Sequence, residues 1–305
     1  MTNQILATVP ITLGDRRILA PGKLLWLRAC AWMVVLFFLV LFAFAPAGRA
    51  LGPLLPKDPR ISFMLNVGAA LIALGAYLLF VRLGEDRLAD ELKPAALPQL
   101  LVGLAIGAAM FACVMGILVA AKLYRIEWHG LAPAWKAAGI SIQAGVGEEI
   151  LVRAIMLRLL WRAFGPVAAF AVSALFFGGA HLTNPGATLF AGICIALEAG
   201  VMLGAFYALT GRLWMSIGVH AAWNFTQGYV FGAAVSGTSF GTALSRSTVT
   251  SGAPAWASGG AFGPEASFPA LVVCFTVGLV VLWYAYKAGR FGAADGARPD
   301  AGATA

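Results

Sequence analysis

Long apolar runs separated by short polar breaks organise this chain. The runs lie at about 25–46, 62–83, 98–122, 136–160, 165–182, 187–210, 213–232 and 268–287. Each is close to the ~20 residues that a helix needs to cross a hydrocarbon layer. They are uniformly apolar rather than alternating, which points to helices and away from a β-barrel. In lipid, helices also pair every backbone polar group within the segment. The pattern predicts an all-α, polytopic membrane helix bundle of about eight transmembrane helices. The breaks "AFGP" at 163–166, "TNPG" at 183–186 and "TGR" at 210–212 carry the Gly, Pro and Asn of tight turns.

Around this bundle, residues 1–24 read as a cytoplasmic N-terminal segment and 25–287 as the membrane domain. Residues 288–305 read as a disordered tail. Residues 234–267, rich in Gly, Ser, Thr and Ala with few charges, read as a long flexible loop. The first run exceeds the roughly 7–15 residues of a signal-peptide core and reads as a retained span, although "AFAPAGRA" at 43–50 mimics a cleavage site. No internal repeat is visible.

Composition agrees with this. The 305 residues are 61% hydrophobic and 11% charged, with mean hydropathy +0.86; soluble chains are about 45–50% apolar and about 25% charged. The net charge of +8 would suggest nucleic acid in a soluble protein. Here the basic residues flank spans, so no nucleic-acid partner is expected. With eight spans both termini share one side. That side collects Arg16, Arg17, Lys23, Arg82, Arg87, Lys93, Arg158, Arg162, Arg212, Lys287, Arg290 and Arg298. The other collects Arg49, Lys57, Arg60, Lys122, Arg125, Lys136 and Arg246. The asymmetry predicts cytoplasmic termini, in a plasma (inner) membrane. Cys30, Cys113, Cys194 and Cys274 lie in separate apolar runs, without metal or redox spacing.

The informative residues break the pattern. An ionisable group inside a span costs about 2.5–3.5 kcal/mol on insertion scales and is a functional hypothesis by default. The exceptions are Glu148, Glu149 and Arg153 in the fourth run, His181 in the fifth, Glu198 in the sixth, and His220 with Asn224 in the seventh. On a helix, Glu149 and Arg153 share a face at i and i+4. Glu148 and Arg153 diverge by ~140°. Arg153 should therefore neutralise Glu149 and leave Glu148 free to act as a general base. Phe177 and His181 share a face, as do His220 and Asn224; the latter pair could aim two donors at one oxyanion. At 1.5 Å per residue, Glu148, His181 and His220 fall ~18, ~24 and ~11 Å from the cytoplasmic ends of their spans. Gly139, Gly145, Gly147, Gly178, Gly179, Gly200 and Gly204 mark close helix packing around these positions. Phe177 reads as a cavity wall and His129 as an interfacial residue. Glu198 is left without a role.

"EEILVR" at 148–153, "FGGAH" at 177–181 and "HAAWN" at 220–224, in that order on apolar helices, resemble the CPBP family of intramembrane proteases. That family includes type II CAAX prenyl proteases and the bacterial Abi proteins linked to bacteriocin processing and self-immunity. The resemblance spans about 136–232. It implies an endopeptidase in which Glu148 activates water directly, without an acyl-enzyme. His181 would orient that water, and His220 and Asn224 would stabilise the oxyanion. Glu149 and Arg153 would brace the site. It implies no obligatory cofactor, with zinc possible on Glu148, His181 and His220. The implied partners are a peptide or membrane-protein substrate, of prenylated or bacteriocin-like type, and the lipid bilayer. Three alternatives stay open. One is a transporter using the Glu/His cluster as a proton relay. The others are a zinc protease, although His-Glu-x-x-His is absent, and a partner-binding protein on the protease scaffold.

Overall fold

The computed structural model describes residues 8–51 and 56–291. Arg298 and the tail reading, as far as it concerns 292–305, lie outside the described residues.

Helices occupy all eight apolar segments. They are α1 (Leu25–Leu51), α2 (Pro59–Glu85), α3 (Pro98–Ala120), and a rod formed by α4 (Trp135–Glu149), a π-helical stretch (Ile150–Leu157) and α5 (Arg158–Phe164). Next come α6 (Pro166–Ala180), then a second rod of α7 (Leu189–Ile195), a π-helical stretch (Ala196–Leu203) and α8 (Gly204–Thr210). The third rod joins α9 (Trp214–Phe225) to a π-helical turn (Thr226–Val230); α10 (Ala255–Ser258) and α11 (Phe268–Lys287) close the chain. Local chemistry sets the ends. The Asp58 side chain accepts the Arg60 N–H at 2.7 Å ahead of α2, and Thr188 accepts the Ala191 N–H at 3.1 Å ahead of α7. Gly165 (φ 83°) and Gly211 (φ 64°) supply the left-handed turns read in "AFGP" and "TGR".

Among the described residues, six helical stretches are long and apolar enough to cross a membrane: Leu25–Ala45, Pro59–Glu85, Pro94–Ala120, Pro166–Thr183, Leu189–Thr210 and Phe268–Lys287. The chain is an all-α polytopic membrane bundle. The other two predicted spans, 136–160 and 213–232, are those carrying the glutamate pair and His220. They sit inside the bundle: residues 149–161 and 215–223 are buried throughout. A rod screened by its neighbours need not be apolar on every face.

Packing runs in a closed circuit. α3 lies on α9, α9 on α4, α4 on α2, and α2 on α1; α1 reaches α5, and α5 reaches α6. The π-stretch 196–203 packs on α6 and α11, and α11 returns to α3. The predicted small residues let these backbones meet. A Cβ on Gly145 would lie 3.0 Å from that of Ala221 on α9, and one on Gly178 would strike the Gly192 carbonyl.

The structure corrects two expectations. Residues 234–267 are not a structureless loop. β2 (Ser245–Val249) pairs antiparallel with β1 (Tyr124–Trp128), Tyr124 opposite Val249 and Trp128 opposite Ser245. The rest of the segment folds back over the bundle: Gly237 N–H donates to the Phe262 carbonyl at 2.7 Å, and Phe262, Glu265 and Ala266 are buried. A strand that pairs with a distant partner leaves little local signal in a Gly- and Ser-rich stretch.

The second correction concerns Arg158 and Arg87, counted above as topology-setting flanks. Arg158 is fully buried and holds Glu85 through two bonds, 2.6 and 2.9 Å. Arg87 donates to Glu85 at 2.7 Å and to both oxygens of Glu91 at 2.9 Å. Tyr77 donates to Glu91 and Trp32 to Glu85. Arg158 also donates to the Leu13 carbonyl at 3.2 Å, tying the N-terminal stretch to the bundle.

Candidate active site

The π-helical stretch Ala196–Leu203 lines one cavity, and two more such stretches lie close in sequence to residues that line it. Ile150–Leu157 follows the glutamate pair, Ala196–Leu203 contains Glu198, and Thr226–Val230 follows Asn224. Such segments insert an extra residue per turn and recur at functional sites.

Glu148, Phe177, His181, His220 and Asn224 all line this cavity. Three separate helices therefore deliver the sequence-predicted groups to one space. Glu149 and Arg153 do not line it; they lie behind it, both fully buried, with Arg153 Nη1 2.9 Å from Glu149 Oε1. Arg153 also donates to the Ala199 carbonyl, and its guanidinium sits 4.8 Å from the centre of the Phe177 ring. Phe177 is more than a wall. Its ring centre lies 4.7 Å from that of His181 and 6.4 Å from that of His220, so one aromatic ring seats both imidazoles and the arginine.

Glu149 has a second task that spacing alone does not reveal. Its Oε1 meets His220 Nδ1 at 2.9 Å. A carboxylate there assigns the proton to Nδ1 and turns Nε2 into the cavity. Nε2 faces Glu148 Oε2 at 3.8 Å, too far for a hydrogen bond. His181 is held differently: its Nδ1 lies 2.8 Å from the Phe177 carbonyl, which accepts an N–H and leaves Nε2 as the acceptor.

The carboxylates outnumber their partners. Glu148 Oε2, Glu149 Oε2 and Glu198 Oε1 are buried oxygens without a hydrogen bond in the protein. Glu198, for which the sequence suggested no role, lines the cavity and is 3% exposed. Arg153 is spent on Glu149 and on backbone carbonyls rather than on Glu198.

Glu265 escaped sequence reasoning altogether. It descends from the segment that covers the bundle, lines the same cavity, and accepts the Ser236 N–H at 2.6 Å and the Ser236 hydroxyl at 2.7 Å. Burial pushes its carboxyl above the ordinary range, against the opposing pull of the Ser236 hydrogen bonds. Its one signal in the sequence was an acidic residue alone in a Gly-rich stretch.

A zinc site is not what these groups form. Among the described residues no three His, Cys, Asp or Glu side chains are arranged to hold a metal ion.

Residues 130–226 match the family model for type II CAAX prenyl endopeptidases, Rce1-like. The match brackets all three motifs. No curated protein and no solved structure matches the chain significantly.

Proposed function

We propose, from the premise that residues 130–226 belong to the type II CAAX prenyl endopeptidase family, that this membrane protein hydrolyses a peptide bond with water activated by Glu148. One observation carries the reading: of the two adjacent glutamates, Glu149 is bound by Arg153 and His220, while Glu148 faces the cavity with no cation in hydrogen-bond reach, His220 Nε2 lying 3.8 Å away. A carboxylate in that position takes a proton from water while the oxygen attacks the scissile carbonyl carbon. His181, accepting at Nε2, helps to orient the water. The Asn224 amide donates to the developing oxyanion, joined by His220 Nε2 when the ring carries both protons; Glu149 then balances the imidazolium. Collapse of the tetrahedral intermediate breaks the C–N bond.

A second recess supports a membrane-embedded substrate. It shares Glu148, Phe177 and His181 with the cavity, and Phe37, Leu151, Val152 and Phe176 wall it. An apolar segment or a lipid-modified peptide could reach Glu148 along that face. A prenylated C-terminal peptide, a bacteriocin-like precursor or a membrane-protein segment would all fit, in an inner membrane with cytoplasmic termini.

The test is a cleavage screen with prenylated and small co-encoded peptides, comparing purified wild type with Glu148→Gln and His181→Ala. The expected result is cleavage by wild type alone, with both variants inserted and folded. Substantial turnover by either variant removes that residue from the chemistry. Proton-coupled transport by wild type in sealed vesicles, with no cleavage, would favour the relay instead.

A further inference from the structure

Breaking a peptide bond takes two proton movements. One proton leaves the attacking water, and one must reach the departing nitrogen, because an amide anion is too poor a leaving group to depart unprotonated. Glu148 accounts for the first. The far wall of the cavity holds groups that the proposed reaction has not used: Glu198 on the π-stretch 196–203 and Glu265 from the covering segment. Both are 3% exposed, and they are close enough for the charge of Glu265 to act on Glu198. Glu198 Oε1 is a buried oxygen with no hydrogen bond in the protein, and Gln227 Oε1 is another. Among the described residues no lysine or arginine lines the cavity. Two buried carboxyls facing one small space without a lysine or arginine cannot both ionise cheaply, which favours the acid form of one of them.

We propose that Glu198, paired with Glu265, is the proton donor to the leaving amine and afterwards the seat of the newly formed ammonium group. The assignment rests on the hydrolytic reading above. The balance is simple. Water gives one proton to Glu148 and its oxygen to the carbonyl carbon. The C–N bond breaks, and the carboxylic acid of the Glu198–Glu265 pair gives its proton to the nitrogen. The resulting carboxylate faces the amine product, which takes up the proton held on Glu148 as it becomes an ammonium, and the carboxylic acid product gives up its proton to restore the acid of the pair. No oxidant or further reactant is needed.

The experiment compares two versions of one peptide substrate of the wild-type enzyme, with an amide or a thioester at the scissile bond. A thiolate departs without protonation. Glu198→Gln should slow the amide by about 10²-fold and the thioester by less than about threefold, within the range of general acid catalysis. Glu265→Gln should shift the ratio the same way by a smaller factor. Because the amide-to-thioester ratio is taken on one preparation, a loss of folded protein cancels. Equal slowing of both substrates, or an undiminished amide rate, in Glu198→Gln overturns the proposal. Glu148→Gln separates the two failures: an active Glu148→Gln defeats the assignment of water activation to Glu148 on which the donor rests, whereas an inactive one beside an unimpaired Glu198→Gln defeats only the proton donor.

Discussion

Two buried polar clusters sit in this bundle, and they are built on opposite terms. At the end near the N-terminal stretch, Glu85 and Glu91 meet Arg87 and Arg158, with Tyr77 and Trp32 donating to the carboxylates. Charges balance there, and none of those carboxylate oxygens is left without a hydrogen bond. Around the cavity, Glu148, Glu149, Glu198 and Glu265 face one arginine and two histidines, and three carboxylate oxygens stay unbonded. Buried ionic groups satisfied from within hold structure in place. Buried groups left unsatisfied weaken the fold and persist where something outside the chain completes them. The same residue types thus separate into scaffold and chemistry by whether their bonds close.

The sharpest way to break that contrast is to neutralise Glu148. Glu148→Gln should lower peptide cleavage by about 10²–10⁴-fold, the range for loss of a general base, with thermal stability in detergent close to wild type. Glu148 is partly exposed and makes no short ion pair, so little of the fold depends on it. A large fall in melting temperature would move Glu148 into the scaffold class.

Glu149→Ala tests the boundary between the classes. It strips Arg153 of its ion-pair partner and His220 of its Nδ1 acceptor. Leaving a buried charge uncompensated costs about 3–5 kcal/mol, so stability should fall. Activity per folded molecule should fall too, because the His220 ring loses its orientation. Activity that tracks the folded fraction alone would reduce Glu149 to a brace.

Glu85→Gln belongs wholly to the scaffold. It should destabilise by a similar amount, about 3–5 kcal/mol, by stranding Arg158, while each folded molecule keeps its cleavage rate. Denaturation and turnover measured on the same preparation check both halves.

The sequence made one cluster legible and hid the other. Glu148, Glu149, Arg153, His181 and His220 stood out because they lie where an apolar helix tolerates no charge, and helical spacing paired Glu149 with Arg153. Glu85, Arg87, Glu91 and Arg158 looked like ordinary flanking charges, since they sit near the ends of apolar runs. Only the packing of α2, α5 and the N-terminal stretch buries them together. The link between Glu149 and His220 spans 71 residues, and that of Ser236 to Glu265 spans 29; neither follows from local periodicity. The π-helical stretches were illegible for a similar reason. They arise where tertiary contacts favour an extra residue per turn, and no residue type announces them.

The smallest effect is also the one that reads the two clusters by sign. Burial alone would push the Glu91 carboxyl up, but Arg87, Arg158 and the Tyr77 hydroxyl pull it below the ordinary carboxylate range. A depressed value means that the folded state binds fewer protons than the unfolded one, so the stability Glu91 confers is complete above the ordinary carboxylate range. It is lost as pH falls through the folded value. Glu265 runs the other way: burial raises it, its contribution is fullest below the ordinary carboxylate range, and it fades as pH rises through its folded value. Mild acidification, short of protonating Glu91, should therefore tighten the covering segment 234–267 against protease while leaving the melting temperature nearly unchanged. Stronger acid should then lower the melting temperature, and Glu91→Gln should flatten that second step only. A covering segment whose protection is unmoved by pH in wild type, or moves equally in Glu265→Gln, would show that Glu265 is as internally satisfied as the scaffold carboxylates, and the distinction between the two clusters would fail at that residue.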